Sequence, residues 1–344
     1  MIGGTRLSQE YYSGPVSITG MTWQDGSPVD VEVGLASLKQ LVDDPARLVW
    51  IDLCGVGSST LEQVGQLLCL DAHTLEDAQA ERERPKATRC VGYNFATIYG
   101  ARLVRGPKTG QRLRLAPISA YALPTCLLTV RQSQQFDMSP VVQRWEQDAK
   151  LVGFGVDGLL QGLLDVAVDQ HFDVLQGLDD DCEGLIADLF ATSPNLKDLQ
   201  QRNFVIRREL ASLRRVVPPM RDVVATLMRI GEAEHGWDME LLSYFEDVSD
   251  HVLRATEWLD SLRDLVSSIF ETNLALNDNR MNQVMKKLAG WAAIIAVPTL
   301  ITGYFGMNVP YFGFGTTAGF IASSVLIVVA AATLWFVMRS KDWI

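Results

Sequence analysis

From Leu241 onward, apolar residues fall at 241, 245, 248, 252, 255, 259, 262, 266 and 269, in alternating steps of four and three. Nine consecutive positions on a 3.5-residue period specify a long helix with a coiled-coil-like seam. Between Met239 and Val297 only Gly290 interrupts the helical pattern, which then runs into a segment carrying no charge. At ~1.5 Å per residue, a helix over 239–304 would be roughly 100 Å long. One compact domain has no use for such a length, so the pattern predicts a helix that leaves its own domain and enters a membrane.

Two uncharged segments close the chain: LAGWAAIIAVPTLITGY over 288–304 (17 residues) and TTAGFIASSVLIVVAAATLWFVM over 316–338 (23 residues). Crossing the hydrocarbon core takes about 20 helical residues, so both read as crossings, the first near the short limit. Lys286 and Lys287 precede the first, and Arg339 and Lys341 follow the second. By the positive-inside rule both termini are cytoplasmic, 339–344 is a cytosolic basic tail and 305–315 is an outer loop. MIGGTRLSQEYY has no charged n-region ahead of an apolar stretch, which argues against a cleaved signal. The expectation is a multi-pass protein of the cell (plasma) membrane, in contact with lipid.

Residues 1–138 mix β-rich stretches such as RLVWIDL (47–53) and VGYNFATIYGARLV (91–104) with helical ones such as TLEQVGQLLCL, predicting a cytosolic mixed α/β (α+β) domain. After Ser139-Pro140 the strand signals stop, and 139–236 reads as a helical region. One helical segment is expected from about 140 to 191. A second, with Ser193 as N-cap and Pro194 in its first turn, ends before Pro218-Pro219. The long helix then occupies 237–304.

A formal charge of -11 disfavours nucleic acid as a partner and favours cations. Cys54, Cys69, Cys90, Cys126 and Cys182 include no C-x-x-C pair, which argues against a disulfide framework or a zinc knuckle. His73, His171, His235 and His251 form no close pair with metal-ligand spacing. No nucleophile–base grouping and no G-x-x-x-x-G-K-[ST] loop is visible, so no catalytic residue is assigned and the chain is not read as an enzyme.

The first crossing carries a second stripe. Asn282, Met285, Ala289, Ala292, Ala296, Thr299 and Gly303 keep the 3.5-residue spacing and are almost wholly small or polar. Pro298 inside the crossing removes an amide donor and frees a carbonyl, tolerable only where protein or water satisfies it. Small residues let helices pack closely in lipid, which is one reading of the stripe. The other is a water-filled lumen. Two crossings per chain cannot enclose a pore, so a lumen requires several copies with the first crossing inside. In the loop, Tyr304, Phe305, Tyr311, Phe312 and Phe314 suit the interface, and Gly303 and Gly306 would let the chain turn closely.

Gly306-Met307-Asn308, reached through NQVMKKLAGWAAIIAVPTLITGYFGMN and followed by a second crossing and a basic tail, resembles the CorA-type divalent-cation (Mg²⁺/Co²⁺) transporters. TLEDAQAERERPK (74–86) and EDVSDH (246–251) extend the resemblance along the chain. It implies a funnel-shaped homopentamer with a cytosolic α/β domain, a stalk helix that becomes the pore helix, and an outer second helix. It further implies a ring at the outer mouth made by Asn308, with Gly306 and Met307 beside it. The pore lining it implies is Asn282, Met285, Leu288, Thr299 and Gly303. The stripe shares four of these, adds Ala292 and Ala296, and differs in placing Ala289 rather than Leu288.

Mg²⁺ sheds water reluctantly and takes oxygen ligands, so amide oxygens touching its hydration shell suit it. The resemblance also implies a regulatory divalent site between subunits, made by Asp77 and Asp247. Taken as local sequence, Asp77 could equally be a capping-box acid with Thr74 as N-cap, and Asp247 an ordinary charge flanking the seam at Val248. The acidic run Asp179, Asp180, Asp181 and Glu183 reads as a solvated helix face.

The loop after the tripeptide, VPYFGFG, has no acidic residue, whereas many family members carry one there. That departure keeps a Zn²⁺ transporter of the same superfamily open beside a Mg²⁺ channel that also admits Co²⁺ or Ni²⁺. A membrane-anchored sensor or scaffold is the reading from another class, and the small/polar stripe ending at Asn308 speaks against it.

Overall fold

The computed structural model describes residues 17–24, 26–29, 34, 37–80, 82–104, 112–191, 195–307, 310, 313–341 and 343, with position 235 described by its backbone alone. The chain divides into two compact units, Met1–Ser267 and Ser268–Ile344.

The first unit is built on a sheet. Among the described residues its strands are β1 (Ser17–Gln24), β2 (Ser27–Val29), β3 (Arg47–Cys54), β4 (Lys86–Cys90), β5 (Tyr93–Leu103), β6 (Leu113–Ala122) and β7 (Cys126–Arg131). They lie in the order β2-β1-β3-β7-β6-β5-β4, and β3 with β7 is the parallel pair. Both faces are covered. Val49, Ile51 and Leu53 of β3 meet Leu38 and Leu41 of α1 (Leu38–Val42) and Leu61 and Val64 of α2 (Ser58–Leu68). Trp50, one residue out of step, points to the other face, where Leu159 and Leu163 of a long helix pack. Side chains alternate along a strand, so burial on both sides demands the continuous apolar runs seen in RLVWIDL and TCLLTVR.

The one helix expected over 140–191 is three: α4 (Ser139–Gln147), α5 (Ala149–Gly153) and α6 (Val156–Leu189). Asp148 breaks the first join by leaving helical geometry, its carboxylate accepting from the amides of Lys150 and Leu151. Gly155 breaks the second with φ 69°, a backbone conformation that glycine adopts without steric cost. The next helix, α7 (Leu196–Leu213), is capped by Asn195, whose side chain accepts from Asp198 N. Ser193 and Pro194 lie outside the described residues. Pro218 and Pro219 sit in the first turn of α8 (Val217–Ile230), where the missing amides are tolerated.

The long helix, α9, runs Met239–Phe305 over 67 residues. All nine seam positions, from Leu241 to Ile269, are buried. Leu241, Phe245, Val248 and Val252 join the core cluster that holds Leu159, Leu163 and Met220, each such side chain contributing about 1.5–3 kcal/mol on removal from water. Thus an α/β domain is followed by two helices long and apolar enough to cross a membrane, the long α9 itself and α10 (Thr317–Ser340).

In the second unit the seam phase is packed at Asn273 and Leu276, lapses over 277–289, where every side chain is exposed, and resumes at Gly290, Ile294, Val297 and Ile301, all buried or half-buried. Thr299 Oγ1 donates to Ile295 O at 2.8 Å, a polar side chain serving the backbone one turn below Pro298. Gly303 is helical, and the chain turns instead at Gly313 (φ 90°) and Gly315 (φ 72°). Thr316 then caps α10, its hydroxyl donating to Gly313 O at 2.8 Å and accepting from Gly319 N at 3.1 Å.

Candidate ion path and cation sites

Asn282, Met285, Ala289, Ala292, Ala296, Thr299 and Gly303 are all exposed in the single chain, and so is Leu288. They stand about two residues out of phase with the seam, roughly 200° around the helix from it. From Gly290 to Ile301 the seam positions are packed inside the chain while Ala292, Ala296, Thr299 and Gly303 are left exposed; over 277–289 the whole helix surface is exposed. Ala292, Ala296, Thr299 and Gly303 line a shallow groove along α9 together with Ile295, Leu300 and Tyr304. Met307 stands at its outer end, past the helix terminus at Phe305. Gly306 N donates to Thr302 O at 2.9 Å, closing the last turn. Asn308 lies outside the described residues, as do Tyr311 and Phe312 of the loop.

Asp77 sits on α3 (Ala72–Gln79). The N-cap of that helix is Asp71, whose side chain accepts from His73 N at 2.8 Å. Thr74 is buried within the first turn, donating to Asp71 O at 2.9 Å and meeting Tyr93 OH at 3.0 Å, so the capping box led by Thr74 does not form. Asp77 instead pairs with Lys86 Nζ at 2.8 Å, and the same ammonium meets Glu83 Oε1 at 3.0 Å. Burial alone would lower the Lys86 pKa, but its hydrogen bonds to Asp77 and Glu83 win and raise it. Lys86 belongs to RERPK, a stretch with no functional signal of its own, and only the fold reveals it as the cation beside Asp77.

Asp247 projects from α9 next to the buried seam residue Val248. No hydrogen bond or ion pair joins it to Asp77 within the chain. Its neighbours are His251, with Nε2 at 3.9 Å from Asp247 Oδ1, and Asp165 of α6. The ligand atoms of Asp165, Asp247 and His251 all lie within 4.8 Å of one another. Burial raises the Asp165 pKa; Arg144, with Nη2 at 3.0 Å from Oδ2, opposes that rise and Asp169 adds to it. The histidines, unpaired when read along the sequence, thus include one that folding brings beside two carboxylates.

The family described as "CorA-like Mg2+ transporter protein" matches residues 45–340. The chain is 27% identical over 270 residues to the cobalt/magnesium transport protein CorA of Thermotoga maritima, covering 78% of this chain and 75% of that one. It is 24% identical over 328 residues to the cobalt/magnesium transport protein CorA of Methanocaldococcus jannaschii, covering 93% and 98% respectively. The solved structure of the Methanocaldococcus jannaschii CorA magnesium transporter superposes with a TM-score of 0.74 at 21% identity, covering 96% of this chain and 100% of that one.

Proposed function

The chain belongs to the CorA-like Mg²⁺ transporter family, divalent-cation transporters rather than enzymes, and on that premise we propose that it is a homopentameric channel admitting Mg²⁺, with Co²⁺ or Ni²⁺ as further substrates. The observation that carries this reading is the stripe: six small or polar positions and Met285, all exposed from Asn282 to Gly303, with Ala292, Ala296, Thr299 and Gly303 set opposite the packed Gly290, Ile294, Val297 and Ile301. Copies arranged around an axis would bring Asn282, Met285, Leu288, Ala292, Ala296, Thr299 and Gly303 to the lumen and Gly306, Met307 and Asn308 to its mouth. Relatives bearing the names of cobalt and magnesium transport proteins support the choice of ion. A dication entering a negative interior gains roughly 4.6 kcal/mol per 100 mV, so no other energy source is required.

Asp77 and Asp247 are the proposed ligands of a divalent ion held between neighbouring subunits, which keeps the channel shut when internal Mg²⁺ is plentiful. Both reach the surface, Asp77 in part and Asp247 largely, and neither is bonded to the other in one chain, as ligands contributed by two different copies need to be. The membrane placement follows the charge pattern, with both termini in the cytoplasm.

The test is flux through purified wild type and Asn308→Ala in liposomes, with Mg²⁺, Co²⁺, Ni²⁺ and Zn²⁺ offered separately. The expected result is Mg²⁺ entry by wild type and its loss or altered selectivity in the variant, with assembly intact. Asn308→Ala passing Mg²⁺ like wild type would sink the mouth assignment, and wild-type entry of Zn²⁺ alone would replace the ion.

A further inference from the structure

From Arg280 to Lys341 the chain carries Arg280, Lys286, Lys287, Arg339 and Lys341 and not one acidic residue, in a protein whose formal charge is -11. Among the described residues none of these five cations has a carboxylate partner, and Asp342, the next acid, lies outside them. Lys287 precedes the end of α9 at Phe305 by eighteen residues, and Trp335 follows the start of α10 at Thr317 by the same number. At ~1.5 Å per residue both stand about 27 Å from the outer ends of their helices, and Arg339 about 33 Å, against a hydrocarbon core of ~30 Å. That is the depth of the inner leaflet's headgroups. Lys287 lies one turn before buried Gly290 and roughly opposite the stripe, so it points away from the proposed lumen. The Arg339 guanidinium sits over the Trp335 ring, 5.2 Å from its centroid. The indole is 41% exposed, as an aromatic seated at a membrane interface is, and the stacking fixes the guanidinium plane at that level. Trp343 N donates to Met338 O at 2.9 Å, which turns the chain back beyond the helix and keeps Lys341 beside it.

We propose that Lys287, Arg339 and Lys341, with Trp335 holding the guanidinium, form a binding site for the phosphodiester headgroup of an anionic lipid in the inner leaflet. A planar guanidinium donates two parallel hydrogen bonds to a phosphate, which an ammonium does not, and the lysines on their flexible stems supply the remaining charge. Carboxylates, which would compete for these cations, are missing from the segment between them. The site rests on the reading of α9 and α10 as crossings with a cytoplasmic basic end, not on which ion is conducted.

The experiment reconstitutes the full-length protein in phosphatidylcholine vesicles and measures, by electron paramagnetic resonance, the fractions of spin-labelled phosphatidylglycerol and spin-labelled phosphatidylcholine immobilised at the protein. Wild type is expected to prefer the anionic label by at least about fivefold, the order set by one basic residue close to an anionic headgroup. Arg339→Gln and Lys287→Gln should each cut that preference and the double variant should abolish it. Arg280→Gln, about 10 Å further from the core, should leave it unchanged. Arg339→Lys, with the charge but not the planar fork, should fall between wild type and Arg339→Gln. The phosphatidylcholine fraction reports insertion and is expected to be equal in all. Equal immobilisation of the two labels by wild type overturns the site. Full preference in Arg339→Lys overturns it as well, leaving only diffuse surface charge. Inorganic phosphate added at constant ionic strength should not displace the anionic label, and displacement would give the site to free phosphate instead. No immobilised lipid of either kind would overturn the membrane reading itself, and the site with it.

Discussion

Lys86 Nζ lies 2.8 Å from Asp77 Oδ2, so a proposed cation ligand is already neutralised by its own chain. A divalent ion arriving at Asp77 must displace that ammonium or share the carboxylate with it. On the proposal that Asp77 helps to hold the closing ion, Lys86 would set how much internal Mg²⁺ closure needs.

Lys86→Met removes the competitor. Partly exposed ion pairs are worth about 0.2–1 kcal/mol, so the Mg²⁺ concentration giving half-maximal protection from proteolysis should fall by up to about fivefold. A midpoint equal to that of wild type would show that Lys86 and Mg²⁺ do not meet at Asp77.

Asp247→Ala is expected to conduct in the presence of millimolar internal Mg²⁺ that silences wild type. Liposomes loaded with Mg²⁺ provide the measurement, and undiminished inhibition would remove Asp247 from the closing site.

Thr299→Phe fills the exposed stripe one turn below Gly303 without touching the packed seam. Flux should be abolished while the oligomer elutes unchanged on size-exclusion chromatography. The contrasting variant, Ile301→Phe, alters the half-buried face and should lower stability before it lowers conductance per assembled channel. Equal flux from Thr299→Phe and wild type would place the lumen on another face.

His171 is wholly buried, with Nε2 at 2.8 Å from Tyr99 O, and burial pushes its pKa down to about 4. The unfolded chain, near the ordinary value of about 6.5, takes the proton first as the medium acidifies. Stability from this group is complete above pH ~6.5 and is lost progressively down to about 4, by about 3 kcal/mol at about 1.4 kcal/mol per pH unit. Thermal unfolding of the full chain in detergent between pH 7 and 4.5 measures it. His171→Gln, though less stable at neutral pH, should show a shallower acid slope, and an unchanged slope would assign the loss to other groups.

The seam and the stripe were legible because each is a repeat within one helix, where burial and spacing are the same information. The double-sided sheet was legible only as strand-forming runs. Which strands pair depends on side chains meeting across the fold, as Trp50 Nε1 does when it donates to Thr129 Oγ1 at 3.1 Å. Of the two readings open for Asp77, the capping box led by Thr74 fails because Asp71 supplies the capping oxygen and Tyr93, distant in sequence, engages the threonine. The breaks at Asp148 and Gly155 turn on single residues that also occur inside helices, so no local pattern announces them. The cluster of Asp165 with Asp247 and His251 is assembled by packing α6 against α9, which no spacing along the chain encodes.

The unbroken α9 also keeps time. Because the packed positions of α9 keep one phase on either side of the exposed stretch 277–289 and the stripe holds a fixed offset from them, the helix acts as a reading frame for side-chain direction. Inserting one residue between 270 and 281 would leave every downstream position helical yet swing it by about 100°, bringing bulky Trp291 and Ile295 round toward the direction the stripe had faced. Inserting seven would restore the original facing to within about 20°. Length along this segment is thus tolerated in heptads, and a single codon gained or lost there acts as a frameshift in three dimensions.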